Sequence, residues 1–233
     1  MQTYEINCPA CGEHEREFMF AKDSPQGNRY DLYRCNSCGQ FYFSPVPSAE
    51  WLGEHLYNTG YMFDGTYEVG RGRYGTMLDA ARTIAPPPCR ALDYGSGAGL
   101  FSIMLKDAGY DVECYEPSPY ARNMMQDKAI KMYTQAEAIP LGRYQLIMCI
   151  EVLEHCLRPI DIMRHMRDLL VAGGKIYTTT SLLNDLYGWV KYIEPVQHIT
   201  FFTRDSVRRM MEAVGFSRFE DMGVGAPPVP VRA

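Results

Sequence analysis

Two cysteine pairs near the start of the chain have the spacing of a metal site. Cys8 and Cys11 form one Cys-x-x-Cys pair, Cys35 and Cys38 form the other, and a glycine follows each pair. Four thiolates in a tetrahedral arrangement suit Zn²⁺ and leave no open position for catalysis. The spacing therefore predicts a structural zinc ribbon over residues 1–46, in which each pair ends a β-hairpin. A redox-active dithiol is the alternative interpretation of the same pairs.

A glycine turn indicates a site for a nucleoside-type cofactor. Gly95, Gly97 and Gly99 follow an apolar segment and let the backbone pass close to a ligand without Cβ clashes. The third glycine comes one residue too early for the dinucleotide fingerprint. Glu116 ends the next apolar segment, where an acidic side chain can accept hydrogen bonds from ribose hydroxyls.

The elements that must position these residues alternate in type from residue 90 onward. Short apolar segments at 91–94, 111–115, 131–133, 145–150 and 175–180 predict strands, and helices are predicted at 100–108, 160–170 and 203–214. Ser118 and Pro119 predict the start of another helix. This is the α/β pattern of a parallel sheet with helices on both faces, over a domain of residues 89–233. After a strand at 216–222, prolines exclude a central strand, so we expect a short edge strand or a chain that continues naturally past Ala233.

Residues 47–88 form a predicted connecting region between the ribbon and this domain. Ser48 is placed to cap a short helix, and Pro86-Pro87-Pro88 ends the region. An aromatic cluster lies between them, and it could be a lid over the cofactor or packing between the lobes: Tyr57, Tyr61, Phe63, Tyr67 and Tyr74.

Four segments, in order, resemble the motifs of class I S-adenosylmethionine-dependent methyltransferases. They are Leu-Asp-Tyr-Gly-Ser-Gly-Ala-Gly-Leu at 92–100, Tyr-Glu-Pro-Ser at 115–118, Ile-Glu-Val-Leu-Glu-His at 150–155 and Leu-Val-Ala-Gly-Gly at 170–174. The resemblance implies a Rossmann-like sheet, S-adenosylmethionine as cofactor and methyl transfer as the reaction. It also implies that Asp93 orders the turn beside the methionine part and that Glu116 holds the ribose. The other implied cofactor contacts are Gly95, Ser96, Gly97, Gly99, Glu151 and, at the adenine position where the usual Asp is absent, Glu137.

Two histidines are candidates for the base or the acceptor contact. A protonated acceptor needs a base in reach, and histidine has a suitable pKa. His155 follows the fourth predicted strand, and a purely structural role is the alternative for it. His198 lies in Glu-Pro-Val-Gln-His-Ile-Thr-Phe-Phe-Thr at 194–203, a segment that resembles the substrate segment of sugar C-methyltransferases with an N-terminal zinc module. Here Gln197 replaces a Glu of that segment, and the large C-terminal domain of those enzymes is missing. Similar segments occur in small methyltransferases of broader substrate range.

Charge and composition limit the classes of binding partner that we expect. The formal net charge is −5 with a pI near 5.6, and residues 1–50 hold four basic against seven acidic side chains. Such a surface repels phosphate, so a nucleic-acid partner is disfavoured. No apolar run could cross a bilayer and the N-terminus does not resemble a signal peptide, so we expect a cytoplasmic protein.

Three hypotheses for the function follow. The first is a methyltransferase that acts on a small molecule, with a sugar or sugar-like metabolite as the leading acceptor. The second is a methyltransferase for a protein or RNA docked through the ribbon. The third, a non-catalytic scaffold that binds S-adenosylmethionine, is disfavoured by the intact Asp93, glycines and Glu116.

Overall fold

The N-terminal strands form two small sheets, and one of them includes a strand from much later in the chain. In this computed structural model, which describes residues 3–24, 27–57, 66–180, 182–183, 195–221 and 228–232, β1 (Thr3–Tyr4) pairs with β5 (Val46–Pro47). A second sheet has the order β11-β4-β3-β2, made of β2 (Arg16–Asp23), β3 (Arg29–Cys35), β4 (Phe41–Ser44) and β11 (Thr200–Phe201). Gly12 and Gly39 have φ of +83° and +73°, so each cysteine pair ends in a left-handed turn that favours glycine.

The connecting region is more helical than the sequence indicates. Ser48 caps α1 (Ala49–Leu52) as predicted, its side chain accepting a hydrogen bond from Trp51 N, and a π-helical turn (Gly53–Tyr57) follows. The 19-residue helix α2 (Thr66–Ile84) was not predicted. Its glycines and its mixed polar and aromatic residues hide the apolar period, and packing against the sheet overrides their low helix propensity. Of the predicted aromatic cluster, Tyr61 and Phe63 lie outside the described residues.

The central sheet confirms the predicted α/β class. Its five parallel strands are β6 (Arg90–Tyr94), β7 (Asp111–Tyr115), β8 (Lys131–Tyr133), β9 (Tyr144–Ile150) and β10 (Leu170–Thr179). With β12 (Phe216–Asp221) and β13 (Pro228–Arg232), the order across the sheet is β12-β13-β10-β9-β6-β7-β8. Leu146, Ile147, Met148 and Cys149 of β9 are fully buried, as a strand covered on both faces requires. β10 begins earlier than predicted, and Gly173-Gly174 lies inside it, where its pairing with β9 is irregular.

Helices cover both faces, as alternate strand residues show. Ala91 and Leu146 pack with α2 and with α3 (Leu100–Asp107) in one core. Leu92 and Ile147 pack on the other face with α5 (Pro159–Leu169) and α6 (Arg204–Ala213). Ser118 and Pro119 open the short helix α4 (Pro119–Asn123) as predicted. Within the described ranges, no helix is both long and apolar enough to cross a membrane.

The last strand corrects the expectation of an edge position. β13 (Pro228–Arg232) lies inside the sheet, between β10 and β12 (Phe216–Asp221), and is antiparallel to both. Proline has no backbone N–H, and backbone N–H groups two positions apart point to the same neighbouring strand. Pro228 and Pro230 therefore each remove a hydrogen-bond donor toward the same neighbour. β13 matches β10 at a single residue pair, Lys175 with Val231, whereas its register with β12 covers the whole strand. An interior strand tolerates prolines when one of its two ladders is this short.

Candidate active site

The glycine turn is held against the end of the neighbouring strand. Gly95, Gly97 and Gly99 have φ of +79°, +53° and +77°. The N–H groups of Gly95 and Ser96 both donate to the carbonyl of Tyr115, at 2.9 and 3.0 Å. A Cβ at Gly95 would lie 2.6 Å from Cγ2 of Val152. The backbone of the turn therefore closes against the segment after β9, and only glycine fits at position 95.

Asp93 lies at the end of β6 with its side chain almost completely buried. Its carboxylate accepts a hydrogen bond of 2.6 Å from the Ser102 hydroxyl. Burial raises the pKa of Asp93 to about 7, and the charge of Glu116 adds to the increase while the Ser102 bond opposes it. Asp93 is thus a buried acid that can carry or release a proton near neutral pH.

The Glu116 side chain connects the glycine turn to the start of helix α4. One carboxylate oxygen accepts from Gly97 N at 2.8 Å, and the other accepts from Ser118 N at 2.8 Å. Burial raises the pKa of Glu116. A carboxylate offers about four lone-pair directions, so two remain for ribose hydroxyls. Ser96 Oγ, in the same turn, is buried and has no partner among the residues that the structure describes. The turn therefore fits a polar ligand such as a nucleoside.

Glu151 stands in a strained conformation directly after β9. Its φ is +52°, which non-glycine residues rarely adopt, and such strain is concentrated at functional sites. A carboxylate oxygen lies 2.8 Å from Nη2 of Arg73, which belongs to α2. The sequence patterns did not single out Arg73, because its partner is distant in the chain and the helix that carries it was not predicted.

His155 and His198 come together at the same end of the sheet. Their ring centroids are 4.9 Å apart, and Nδ1 of His155 lies 2.7 Å from the carbonyl oxygen of Gln197. Burial lowers the pKa of both imidazoles, that of His198 to about 4, where His155 contributes as well. Both rings are therefore neutral at pH 7 and can accept a proton. Glu194 of the same predicted segment lies outside the described residues.

Glu154 adds a buried carboxyl beside this pair. Thr180 Oγ1 donates to it at 2.9 Å, and burial together with the charge of Glu151 raises its pKa. One ligand atom each from Glu154, His155 and His198 lies within 4.8 Å of the others, a set that could hold a divalent cation. Glu137, by contrast, is exposed in the 3₁₀ turn Ala136–Ala138 after β8. Its contact with adenine stays a prediction.

The four N-terminal cysteines converge in the way that the sequence predicts. Their Sγ atoms lie within 4.8 Å of one another, with 3.5 Å between Cys8 and Cys38 and 3.6 Å between Cys11 and Cys35. These separations are too long for disulfides, and they approach the roughly 3.8 Å between sulfurs of a tetrahedral zinc site with Zn–S bonds of about 2.3 Å. The thiols therefore fit Zn²⁺. The scattered Cys114 and Cys149 are fully buried core residues.

A family model described as a methyltransferase domain matches residues 70–219. The chain belongs to this methyltransferase family. The match covers Asp93, the glycine turn, Glu116 and the two histidines, and the four-cysteine ribbon precedes it. The fold and the four ordered motifs agree with this assignment, so the chain is an S-adenosylmethionine-dependent methyltransferase.

Known proteins similar to this methyltransferase carry related names. A malonyl-[acyl-carrier protein] O-methyltransferase of Methylococcus capsulatus is 27% identical over 191 residues, which cover 76% of this chain and 69% of that protein. A ubiquinone biosynthesis O-methyltransferase of Xanthomonas campestris is 29% identical over 110 residues, 43% of this chain but less than half (46%) of the relative. The crystal structure of the PH0226 protein from Pyrococcus horikoshii shares the fold with a TM-score of 0.62 at 18% identity, covering 74% of this chain and 98% of that one.

The closed glycine turn predicts that Gly95→Ala weakens cofactor binding. The new Cβ would meet Val152 at 2.6 Å in a left-handed conformation, so the turn must move. We expect the affinity for S-adenosylhomocysteine, measured by calorimetry, to fall by about tenfold or more. Gly142→Ala is the matched control, since Gly142 has φ of +62° and a Cβ there would meet no atom within 4 Å. Equal affinities for both variants would contradict this account of the turn.

The buried Asp93 predicts an unusual dependence of stability on pH. Its pKa is about 7 in the folded protein against 3.8 for a free side chain, so the folded state binds the extra proton between these values. The free energy of unfolding is therefore highest where Asp93 is protonated in both states, below pH 3.8. It decreases as the pH rises from there through 7. From pH 5 to 8 the free energy of unfolding of the cofactor-free protein should fall by on the order of 3 kcal/mol more than that of Asp93→Asn.

Urea denaturation at both pH values measures this difference. The exposed Asp127→Asn is the control and should follow the wild-type protein. Parallel pH profiles for wild type and Asp93→Asn would show that Asp93 titrates normally.

Proposed function

We propose that this methyltransferase transfers the methyl group of S-adenosylmethionine to a hydroxyl oxygen of a small molecule bound at His155 and His198. A neutral imidazole takes the hydroxyl proton while the oxygen attacks the methyl carbon. Bound S-adenosylmethionine would supply the methyl carbon, and the electron pair of its carbon–sulfur bond would stay on sulfur in the released S-adenosylhomocysteine. Much of the rate comes from alignment of the two reactants and exclusion of water.

The observation that carries this proposal is the close approach of the glycine turn to the 3₁₀ turn that ends at His155, here called the histidine turn. Val152 lies over Gly95, and His155 ends the 3₁₀ turn (Leu153–His155) that begins at the next residue. The imidazole pair is therefore adjacent to the place where the methionine part of the cofactor would lie. Both rings are partly buried and neutral at pH 7, so each keeps a nitrogen lone pair that can accept the hydroxyl proton, and the lowered pKa makes each a weaker base than a free imidazole.

We assign cofactor binding to the residues around the glycine turn, here called the cofactor half of the site. We assign the methionine end to Asp93, Gly95, Ser96 and Gly97, the ribose to Glu116, and the adenine end to Glu137. Gly99 closes the turn, and Glu151, directly after β9, would add a carboxylate near the methionine end of the cofactor. The sulfonium of the cofactor is a cation, and buried carboxyls nearby stabilise it most strongly in their ionised form.

Oxygen as the acceptor atom is supported by the names of two relatives, both O-methyltransferases. A sugar-like metabolite is the first acceptor to test, because the His198 segment resembles that of zinc-module sugar methyltransferases. A group carried on a protein is the second, since one relative is named for malonyl-[acyl-carrier protein]. The acidic ribbon argues against RNA.

Two variants should separate the halves of the site. Glu116→Gln removes a charged acceptor and should weaken S-adenosylhomocysteine binding by about tenfold. His198→Gln should leave that affinity within about twofold and lower single-turnover methyl transfer by roughly 10²-fold or more. Transfer is measured as S-adenosylhomocysteine release with a panel of sugar nucleotides and hydroxylated aromatics. His14→Gln, at an exposed histidine, is the control. An undiminished rate in His198→Gln would remove the histidine from the mechanism.

We also propose that the four cysteines hold one structural Zn²⁺. Metal analysis of the purified chain should give about one zinc per chain, and Cys38→Ser should reduce it because a closed tetrahedral site needs all four ligands. Cys89→Ser, outside the cluster, should keep the metal. No zinc in the wild-type protein would contradict the proposal. A second equivalent, lost in His198→Gln, would place a cation at Glu154, His155 and His198.

A further inference from the structure

The segment that carries His198 is bound by the backbone on both sides. Ile199 N donates to the carbonyl of Glu154 at 2.9 Å, directly beside His155. On the other side the carbonyl of Ile199 accepts from Phe43 N at 3.0 Å, and Phe43 belongs to strand β4 of the ribbon. Residues 196–201, here called the His198 segment, therefore lie between the histidine turn and the ribbon.

Gln40 connects the cysteine cluster to this segment. It is fully buried two residues after Cys38, and its backbone carbonyl accepts from Cys35 N at 2.8 Å, which closes the second cysteine turn. Its side-chain Nε2 donates to the carbonyl of Phe201 at 2.8 Å. The same residue thus closes the predicted metal turn and holds the end of the His198 segment.

Packing makes the same connection. The ring of Phe201 contacts Phe43 of the ribbon at 5.7 Å between centroids and His198 at 6.1 Å. Val196 begins the segment with φ of +82°, a strained conformation for a β-branched residue. It is buried in one core with Leu32 and other ribbon residues. Such strain persists only where the surroundings impose it, and here the ribbon supplies much of them.

The cofactor half of the site is built differently. Asp93 bonds to Ser102, Glu116 bonds to Gly97 and Ser118, and the glycine turn bonds to Tyr115. All of these partners belong to the central sheet and its helices. A change in the ribbon therefore reaches His198 through hydrogen bonds to the backbone of its segment, whereas the hydrogen bonds named here for Asp93, Glu116 and the glycine turn include none to the ribbon.

We propose that the ribbon is a positioning element of the acceptor site, in which Gln40 and β4 fix the His198 segment in its catalytic place. The inference rests on the proposed function, because it presumes that His198 serves acceptor turnover. Gln40 is a positioning residue in this account and touches neither reactant. The competing interpretation is a ribbon that stabilises the whole chain equally.

Amide hydrogen exchange on the full, metal-loaded chain tests the proposal. Gln40→Met keeps the side-chain size and removes the hydrogen bond to Phe201. We expect exchange in peptides that span 196–202 to become about tenfold faster, while peptides that span 113–118 stay within about twofold. Asn36→Met is the matched control, since Asn36 is an exposed amide in the same cysteine turn. It should match the wild-type protein throughout.

Two further measurements separate positioning from general stability. The affinity of Gln40→Met for S-adenosylhomocysteine should stay within about twofold of wild type, while single-turnover transfer falls by about tenfold. Removal of the metal from the wild-type chain with a chelator should accelerate exchange first at 196–202, which keeps the test valid if Gln40→Met folds poorly.

Two outcomes would overturn the inference. One is unchanged exchange at 196–202 in both Gln40→Met and the chelated chain. The other is an equal loss of cofactor affinity and of protection everywhere, which would make the ribbon a general stabiliser. A wild-type chain that binds no S-adenosylhomocysteine would instead contradict the proposed function, whatever the exchange pattern shows.

Discussion

The parallel pairing of β6 between β7 and β9 is the constraint on which the site depends. Asp93 of β6 is matched with Cys114 of β7 and with Met148 of β9, so the three strands end at one edge of the sheet. Asp93, Glu116 and Glu151 come from different parts of the chain but lie at the same edge of the sheet because of this register. The hydrogen bonds from Gly95 and Ser96 to Tyr115 then fold the glycine turn over the same edge.

This edge gathers carboxyls that water would solvate far better than the protein does. Asp93, Glu116 and Glu154 are buried, and burial raises the pKa of each. Closely spaced buried acids are costly unless a cation or a proton compensates them. Arg73 compensates part of the charge through its ion pair with Glu151. A bound sulfonium would supply more, so the unfavourable electrostatics of these acids favour a cationic cofactor over its neutral product.

Sequence patterns reached the cofactor half of this site more completely than the acceptor half. The glycine turn, Asp93 and Glu116 are local signals at strand ends, and their strands lie within a residue of the predicted bounds. Helix α2 and Arg73 were missed because apolar periodicity is weak there and the ion pair to Glu151 is a long-range contact. The interior position of β13 was also missed. The sequence of a proline-rich segment does not show on which side of the strand its prolines leave hydrogen bonds unmade, or how short the pairing on that side is.

The ribbon shares a hydrophobic core and one strand with the methyltransferase domain. Its second cysteine turn is not a separate core: Cys35, Cys38 and Tyr42 are buried in the same cluster as Leu153 and Met210 of the methyltransferase domain. The His198 segment contributes β11 to the ribbon sheet and also bonds to the histidine turn, so both lobes share one strand. A short strand of two residues has little intrinsic stability and takes its geometry from its neighbours. The acceptor site proposed at His198 would therefore take its geometry from both lobes, whereas the residues around the glycine turn take theirs from the central sheet and its helices.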